Sequence, residues 1–343
     1  MQFIKKEAAF IPKSQIKVFV SGGGGDVADA VVACLNKSEL DFEITIASSS
    51  EISLRHYEVD NYALLPLVDS GKYVESLMRA LNHYEIDIFI PTIDSELSLI
   101  SENAKFITSK TGTVVFIGES SDVMQFGDKL ATAEFLKKNE LPYPNTILAD
   151  DGLKLQRFLQ SVTFPIIAKP RFGHGSIGVI EIKTLKDLTG TLKTNNYILQ
   201  EKLPVADGEY TAGIYIGSES EVKGLCVLKR SLINGSTVIA ENVIDSKINS
   251  QVEKIARLTK MKYVNIQFAM RGNNVVPFEI NPRFSGSTFM QSIEFNAPEM
   301  AVFDLLLGKP LVRKQNSIFF SAVKTKKIIF TLGDCVASKP IQW

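Results

Sequence analysis

The residues best suited to chemistry lie in one stretch, NIQFAMRGNNVVPFEINPRFSGST (265–288). It reads as two strands, VNIQFAM then VVPFEIN, joined by a turn. Side chains at i and i+2 of a strand share a face, so Glu279 and Asn281 point together while Phe278 and Ile280 point away. On the preceding strand Asn265 and Gln267 share a face opposite Ile266 and Phe268. For the polar faces to coincide Gln267 must pair with Glu279, which calls for an odd loop such as Gly272, Asn273 and Asn274. The product is a compact patch of one carboxylate and two amides, with Arg283 just past the strand end. Oxygen ligands of this kind suit Mg²⁺, which takes one or two carboxylates together with phosphate oxygens. A guanidinium nearby could meet charge developing on a phosphoryl or acyl-phosphate group. Spacing alone is equally compatible with a solvated hairpin face.

A second group of residues has a phosphate-binding character. In IIAKPRFGHGSIGV (166–179) Lys169 ends a buried strand, and Gly173, Gly175, Ser176 and Gly178 follow closely. Spaced glycines let backbone amides approach phosphate oxygens and let a loop move as a lid. His174 sits in the same loop, either at the γ-phosphate or as a bystander. Turns use the same residues, so the loop by itself decides little.

Those side chains need elements to hold them. The front of the chain alternates strands and helices: IKVFVS (16–21), a glycine turn, VADAVVACL, then strands at 42–48, 87–92 and 113–118. That order predicts a doubly wound parallel sheet. Pro142 and Pro144 end a helical stretch that begins near Ser120 and mark the entrance to another domain. Beyond it, strands at 164–170, 178–183, 197–203, 210–216 and 221–230 alternate in an antiparallel manner. A helix over 250–260 precedes the hairpin, and 301–308 reads as a closing helix.

Composition narrows the function classes. The chain has 343 residues, 45% of them hydrophobic, with 38 basic and 38 acidic side chains. Two or three lobes are expected at this length. Zero formal charge removes the bulk term that dominates nucleic-acid affinity, so no nucleic-acid partner is expected. Cys34, Cys226 and Cys335 lack ligand spacing and are too few for a disulfide framework. No apolar leader and no run long enough to span a bilayer is visible, so no membrane partner is expected and a cytoplasmic location is.

With these motifs in this order, residues 16–310 resemble the ATP-grasp superfamily, in particular the branch of carbamoyl-phosphate synthase large subunits, biotin carboxylase and amino-acid ligases. The resemblance implies ATP and Mg²⁺ as cofactors, with Mn²⁺ an alternative, and Gln267, Glu279 and Asn281 as metal ligands. It implies that Arg283 and Lys169 act on the phosphoryl or acyl-phosphate group, and that Lys129 of GDK (127–129) also binds ATP phosphates beside the Gly173, Gly175, Ser176 loop. In ILQEKLPVADGEY (198–210), it implies that Glu201 and the backbone at Lys202 and Leu203 read the adenine edge. Glu209 would hold the ribose. In IPTIDSELSLI (90–100), Asp94 and Glu96 match an acidic motif near the acceptor site and could bind a substrate amine; capping the next helix is the common alternative use. Asp26 and its glycines would shape the substrate pocket.

The expected organisation is α/β and α+β. An N-terminal tail (1–15) leads to a Rossmann-like parallel-sheet domain (16–119). A two-lobed ATP-grasp domain with antiparallel sheets follows, its small lobe at 120–196 and its large lobe at 197–310, and then an extension (311–343). The implied activity is ADP-forming ligation of a small-molecule carboxylic acid to an amine through an acyl phosphate, in a monomer or a homodimer. Three other readings compete. Phosphorylation of bicarbonate would need a partner or a dimer of such units. A non-catalytic nucleotide-binding protein on the same fold is the second. The third is a dinucleotide-dependent oxidoreductase, from Gly23, Gly25 and Ala28 as G-x-G-x-x-A. The second strand, ending IASSS, has no acid for a ribose hydroxyl, and this third reading leaves Lys129, Lys169 and 265–288 unexplained.

Overall fold

A computed structural model describes residues 15–307 and 327–329, apart from 55–56, 174, 192–195, 206–207, 218–219 and 234. The expected tail apart from Gln15, all but three residues of the 311–343 extension, and His174 therefore lie outside the described residues.

The first lobe is the expected parallel sheet. Strands β1 (Ile16–Val20), β2 (Phe42–Ser48), β3 (Asn61–Leu64), β4 (Ile88–Ile90) and β5 (Val114–Val115) lie in the order β3-β2-β1-β4-β5. Val18, Val20, Ile44, Ile46, Ile88 and Ile90 are buried apolar side chains, as a sheet covered on both faces requires. Helix α1 (Asp26–Asn36) and short α2 (Glu51–Leu54) serve one side; α3 (Tyr73–His83) and α4 (Asp94–Thr111) pack on the other through Leu77, Leu81, Ile100 and Ile107. The chain order reverses between β1 and β4, which makes the carboxyl edge there the natural ligand crevice.

Helices α5 (Ser120–Gly127) and α6 (Lys129–Lys138) lead into a four-stranded antiparallel sheet. Its strands are β6 (Thr146–Leu148), β7 (Ile166–Pro170), β8 (Ile180–Ile182) and β9 (Tyr197–Glu201), backed by α7 (Gly152–Ser161) and α8 (Leu185–Thr191). Strand β9 pairs with both β6 and β7, so the small lobe's sheet runs through Glu201 rather than ending at residue 196. Pairing partners are set by tertiary structure, and a boundary placed on local pattern missed this one.

The third layer is a six-stranded sheet in the order β14-β13-β10-β11-β12-β15. It comprises β10 (Glu209–Ile216), β11 (Val222–Ile233), β12 (Ser236–Asn242), β13 (Tyr263–Arg271), β14 (Asn274–Asn281) and β15 (Lys327–Ile329). Amphipathic α9 (Ser246–Thr259) covers one face with Ile248, Val252 and Ile255. Short α10 (Thr288–Gln291) and α11 (Ala297–Val302) return the chain to the first lobe, where Ala301 and Val302 share a core with Val31 and Leu35 of α1. That shared core fixes the parallel-sheet lobe against the hairpin of interest. No helix among the described residues is long and apolar enough to cross a membrane.

Candidate active site

The hairpin brings the expected polar face together by a different route. Gln267 pairs with Glu279 and Asn265 with Asn281. Yet Arg271 pairs with Asn274, leaving a two-residue turn, Gly272-Asn273, in place of an odd loop. Gly272 takes φ +60°, as the first central position of a tight hairpin turn demands. Parity is restored by a β-bulge: Phe268 pairs with Pro277, and Phe278 is the extra residue. Pro277 has no N–H to give a ladder, and it sits where such a residue is tolerated, beside a bulge on an edge strand.

The bulge also serves a neighbour. Lys169, at the end of β7, is only 6% exposed, and its Nζ lies 3.5 Å from the Phe278 carbonyl oxygen and 5.6 Å from the centre of the Phe278 ring. Burial pushes its pKa down to about 8; Glu279 and Glu209 pull it up, and Lys129 pushes it down further. A buried ammonium held by one carbonyl and a ring face is a strong anion seat.

Lys129 stands opposite. Asp128 caps α6 through Leu130 N (2.9 Å) and takes a two-pronged bond from Arg171, with Arg171 Nη2 at 2.6 Å. Lys129 Nζ donates to the Gly173 carbonyl at 2.7 Å, and its backbone N–H to the Arg171 carbonyl at 3.1 Å. Gly173, Gly175, Ser176 and Gly178 of the glycine loop all have positive φ (119°, 62°, 58° and 75°). Lys129 and the glycine loop thus form one unit, which sequence separation hides.

The adenine-side residues divide. The Glu201 carboxylate is committed to Arg271 (2.7 Å) and the Asn145 N–H (3.1 Å), and the Lys202 ammonium to Glu181 (2.6 Å). The Glu201 side chain is therefore a brace between strands. Leu203 is buried beside Ala269, Val276 and Phe278, an apolar wall next to the bulge.

Arg230 is the residue the sequence reading missed. From β11 its Nη2 donates to Gln267 Oε1 at 2.7 Å and to the Glu209 carboxylate, so it ties the expected ribose acid to the expected metal amide. Its Nε is buried without a partner. Its only sequence signal is a basic pair, Lys229-Arg230, ending a run of apolar strand residues.

Arg283 meets Asp94 across 189 positions of sequence: Nε donates to Oδ1 at 2.9 Å, and Nη2 donates to Oδ2. Burial opposes the Arg283 charge, but Asp94, Glu279 and Asp26 outweigh it and hold its pKa above the usual value. A Cβ on Gly286 would lie 2.5 Å from Asp26 Oδ2, which places Asp26 at the same junction. Glu96 does not join them. It is fully buried and accepts from Ser21 Oγ, Tyr73 Oη and the backbone N–H groups of Thr92 and Ile93 (both 3.0 Å). Two residues of helix turn a side chain by about 200°, which sends the two acids of this motif to opposite sides. Asp94, first in α4, reaches Arg283, whereas Glu96, third in α4, turns into the fold and closes the helix cap. The expectation that Glu96 binds substrate is thereby corrected.

Among the described residues no three His, Cys, Asp or Glu side chains cluster as a metal site. The oxygen donors on the hairpin face are instead one carboxylate, Glu279, and the amides of Gln267, Asn281 and Asn265. Asn265 Oδ1 is buried with no partner, while its Nδ2 donates to Thr211 Oγ1 at 2.8 Å. An all-oxygen set with an orphan acceptor fits a hard divalent cation and excludes a thiolate or imidazole site.

Residues 19–116 match the PylC-like N-terminal domain and residues 126–287 the ATP-grasp domain. A carbamoyl phosphate synthase large chain of Campylobacter jejuni is 23% identical over 266 residues, covering 71% of this chain and 24% of that protein. The chain thus spans about a quarter of that relative's length. The glutamate–LysW ligase ArgX of Sulfurisphaera tokodaii is 25% identical over 282 residues, covering 76% of this chain and 92% of the relative. Among solved structures, an ADP complex of N5-carboxyaminoimidazole synthetase from Staphylococcus aureus superposes with a TM-score of 0.66 at 16% identity, covering 84% of this chain and 77% of that one. An L-amino acid ligase from Bacillus licheniformis gives 0.64 at 13% identity, covering 87% and 75%. At these identities the structures share the fold.

Proposed function

We propose that this chain, which carries an ATP-grasp domain behind a PylC-like N-terminal domain, joins a carboxylic acid to an amine with cleavage of ATP to ADP and phosphate. The observation that carries the reading is the bulged hairpin, which sets Gln267, Glu279 and Asn281 on one face and seats Lys169 against Phe278.

The phosphates of ATP lie between Lys169, Lys129 and the backbone of the glycine loop, with the adenine against Leu203 and Phe278 and its edge read by the backbone at Lys202 and Leu203. Glu209 faces the ribose. Gln267, Glu279 and Asn281 would hold Mg²⁺, or Mn²⁺ in its place, which would neutralise phosphate charge when bound. A carboxylate oxygen attacks the γ-phosphorus, the bond to the β–γ bridging oxygen breaks, and ADP leaves. The amine nitrogen then attacks the acyl carbon, the C–N bond forms, the C–O bond to phosphate breaks, and the amine proton passes to solvent or phosphate. Arg283, steadied by Asp94, stabilises the oxyanion of that second step. Positioning and electrostatics carry the chemistry, so no protein nucleophile is required.

A panel of acids and amines scored for ADP release tests the proposal. ADP and phosphate should appear only when both partners are present; AMP and pyrophosphate would overturn the acyl-phosphate route. The likeness to carbamoyl phosphate synthase favours a second reading, phosphorylation of bicarbonate, which ADP release with bicarbonate and no organic acid would support. Cys34 and Cys226 are free and buried, in keeping with a cytoplasmic setting.

A further inference from the structure

We infer that Arg171 is a positioning residue for the ATP phosphates: it holds Lys129 at their seat by clamping the first turn of α6 to the root of the glycine loop. The inference rests on Lys129 being a phosphate ligand and adds the residue through which that lysine is placed.

The clamp has two jaws. Arg171 follows the last residue of β7, and its backbone N–H donates to the Asn196 carbonyl at 2.7 Å, so its root belongs to the small lobe. Its side chain forms the first jaw. Nε lies 2.9 Å from each oxygen of Asp128, and Nη2 lies 2.6 Å from Oδ2. A planar fork on a carboxylate fixes orientation as well as distance. The second jaw is backbone: the Arg171 carbonyl accepts the Lys129 N–H at 3.1 Å.

Asp128 passes this placement on to the lysine. It is buried, and the oxygen that meets Arg171 Nε also accepts the N–H groups of Leu130 (2.9 Å) and Ala131 (3.3 Å) as the cap of α6. Lys129 is the first residue of that helix, so the cap decides where its side chain leaves. The ammonium then reaches the Gly173 carbonyl at 2.7 Å, which uses one of its three hydrogens and leaves two for phosphate oxygens. Its charge also bears on Lys169, so both lysines face one seat.

Arg171 does not itself serve as the phosphate ligand, because the edge of its fork is spent on Asp128. It acts through the lysine. A displacement of about 1 Å in a positioned group can cost on the order of 10²-fold, and a lysine on an unclamped helix end is displaced more easily than that.

Binding to the full chain tests this without turnover, using ADP with Mg²⁺ by calorimetry and adenosine by saturation-transfer NMR. Arg171→Ala and Arg171→Gln should each weaken ADP at least about tenfold. Adenosine affinity should stay within about twofold, because the base and ribose seats lie on other residues. Made in a Lys129→Ala chain, the same changes should cost less than about threefold, the remainder being the field of an Asp128 carboxylate left without its partner. A full loss in that background, or ADP affinity unchanged in both Arg171 variants, would overturn the inference. Loss of adenosine binding in both would make Arg171 a brace of the fold and overturn it too; if only one loses adenosine, the other decides. ADP affinity unchanged by Lys129→Ala would instead remove Lys129 from the phosphates, and the inference with it.

Discussion

The hairpin face at Gln267, Glu279 and Asn281 and the turn at Asp94 and Glu96 both present acids beside a strand end, but they treat them in opposite ways. Glu279 keeps its carboxylate on a face shared with amides, beside buried Lys169, which makes no ion pair closer than 4.0 Å among the described residues and is met only by the Phe278 carbonyl and the more distant fields of Glu279 and Glu209. Glu96 spends its carboxylate on four donors inside the fold, and burial pushes its pKa up even against those hydrogen bonds. A site that awaits a ligand leaves charge unanswered, whereas a brace answers it with protein. The same contrast separates Lys169 from Lys202, which is satisfied by Glu181.

Substitutions that swap function for stability are the sharpest way to break this contrast. Glu279→Ala should lower kcat by on the order of 10³, since a lost metal ligand forfeits several kcal/mol of charge stabilisation, and circular dichroism should show an unchanged fold. Full activity would remove the metal assignment. Glu96→Ala should do the reverse, costing about 2–3 kcal/mol in denaturant unfolding because buried donors lose their acceptor. Stability equal to that of the wild type would show that Glu96 is no brace. Arg230→Ala should cost about 10–100-fold in metal affinity, the usual penalty for losing an outer partner of a ligand, read from the metal dependence of turnover. An unaltered metal dependence would detach Arg230 from the Gln267 site.

The mildest effect is a pH limb. With its pKa near 8 in the free protein, Lys169 loses its proton as pH rises through that value. The protonated form binds phosphate, so kcat/KM for ATP should fall about tenfold per pH unit above the pKa. Lys169→Arg retains charge and should flatten that limb; a limb that persists in the variant belongs to another group.

Much of this was legible in the sequence, for physical reasons that differ by residue. Strand periodicity put Glu279 beside Asn281 and opposite Gln267, because alternation is a local property. The compensating bulge was not read, although Pro277 in mid-strand was its signal. The lysines and the glycine loop were found as separate motifs, but the bond from Lys129 to Gly173 joins residues 44 positions apart and only the fold reveals it. Arg230 was invisible for the same reason: a basic strand residue acquires meaning from its neighbours on β10 and β13. Strands β3 and β6, of four and three residues, were also missed, since short strands depend on their partners more than on their own pattern, and the seven-residue β12 was missed as well.

The acyl-phosphate route is tested most directly with an acid whose carboxylate carries ¹⁸O, used with an amine that supports turnover, and ³¹P NMR of the products. Transfer of one carboxylate oxygen to inorganic phosphate in each turnover is the predicted result. Label in AMP, or phosphate free of label, would contradict it.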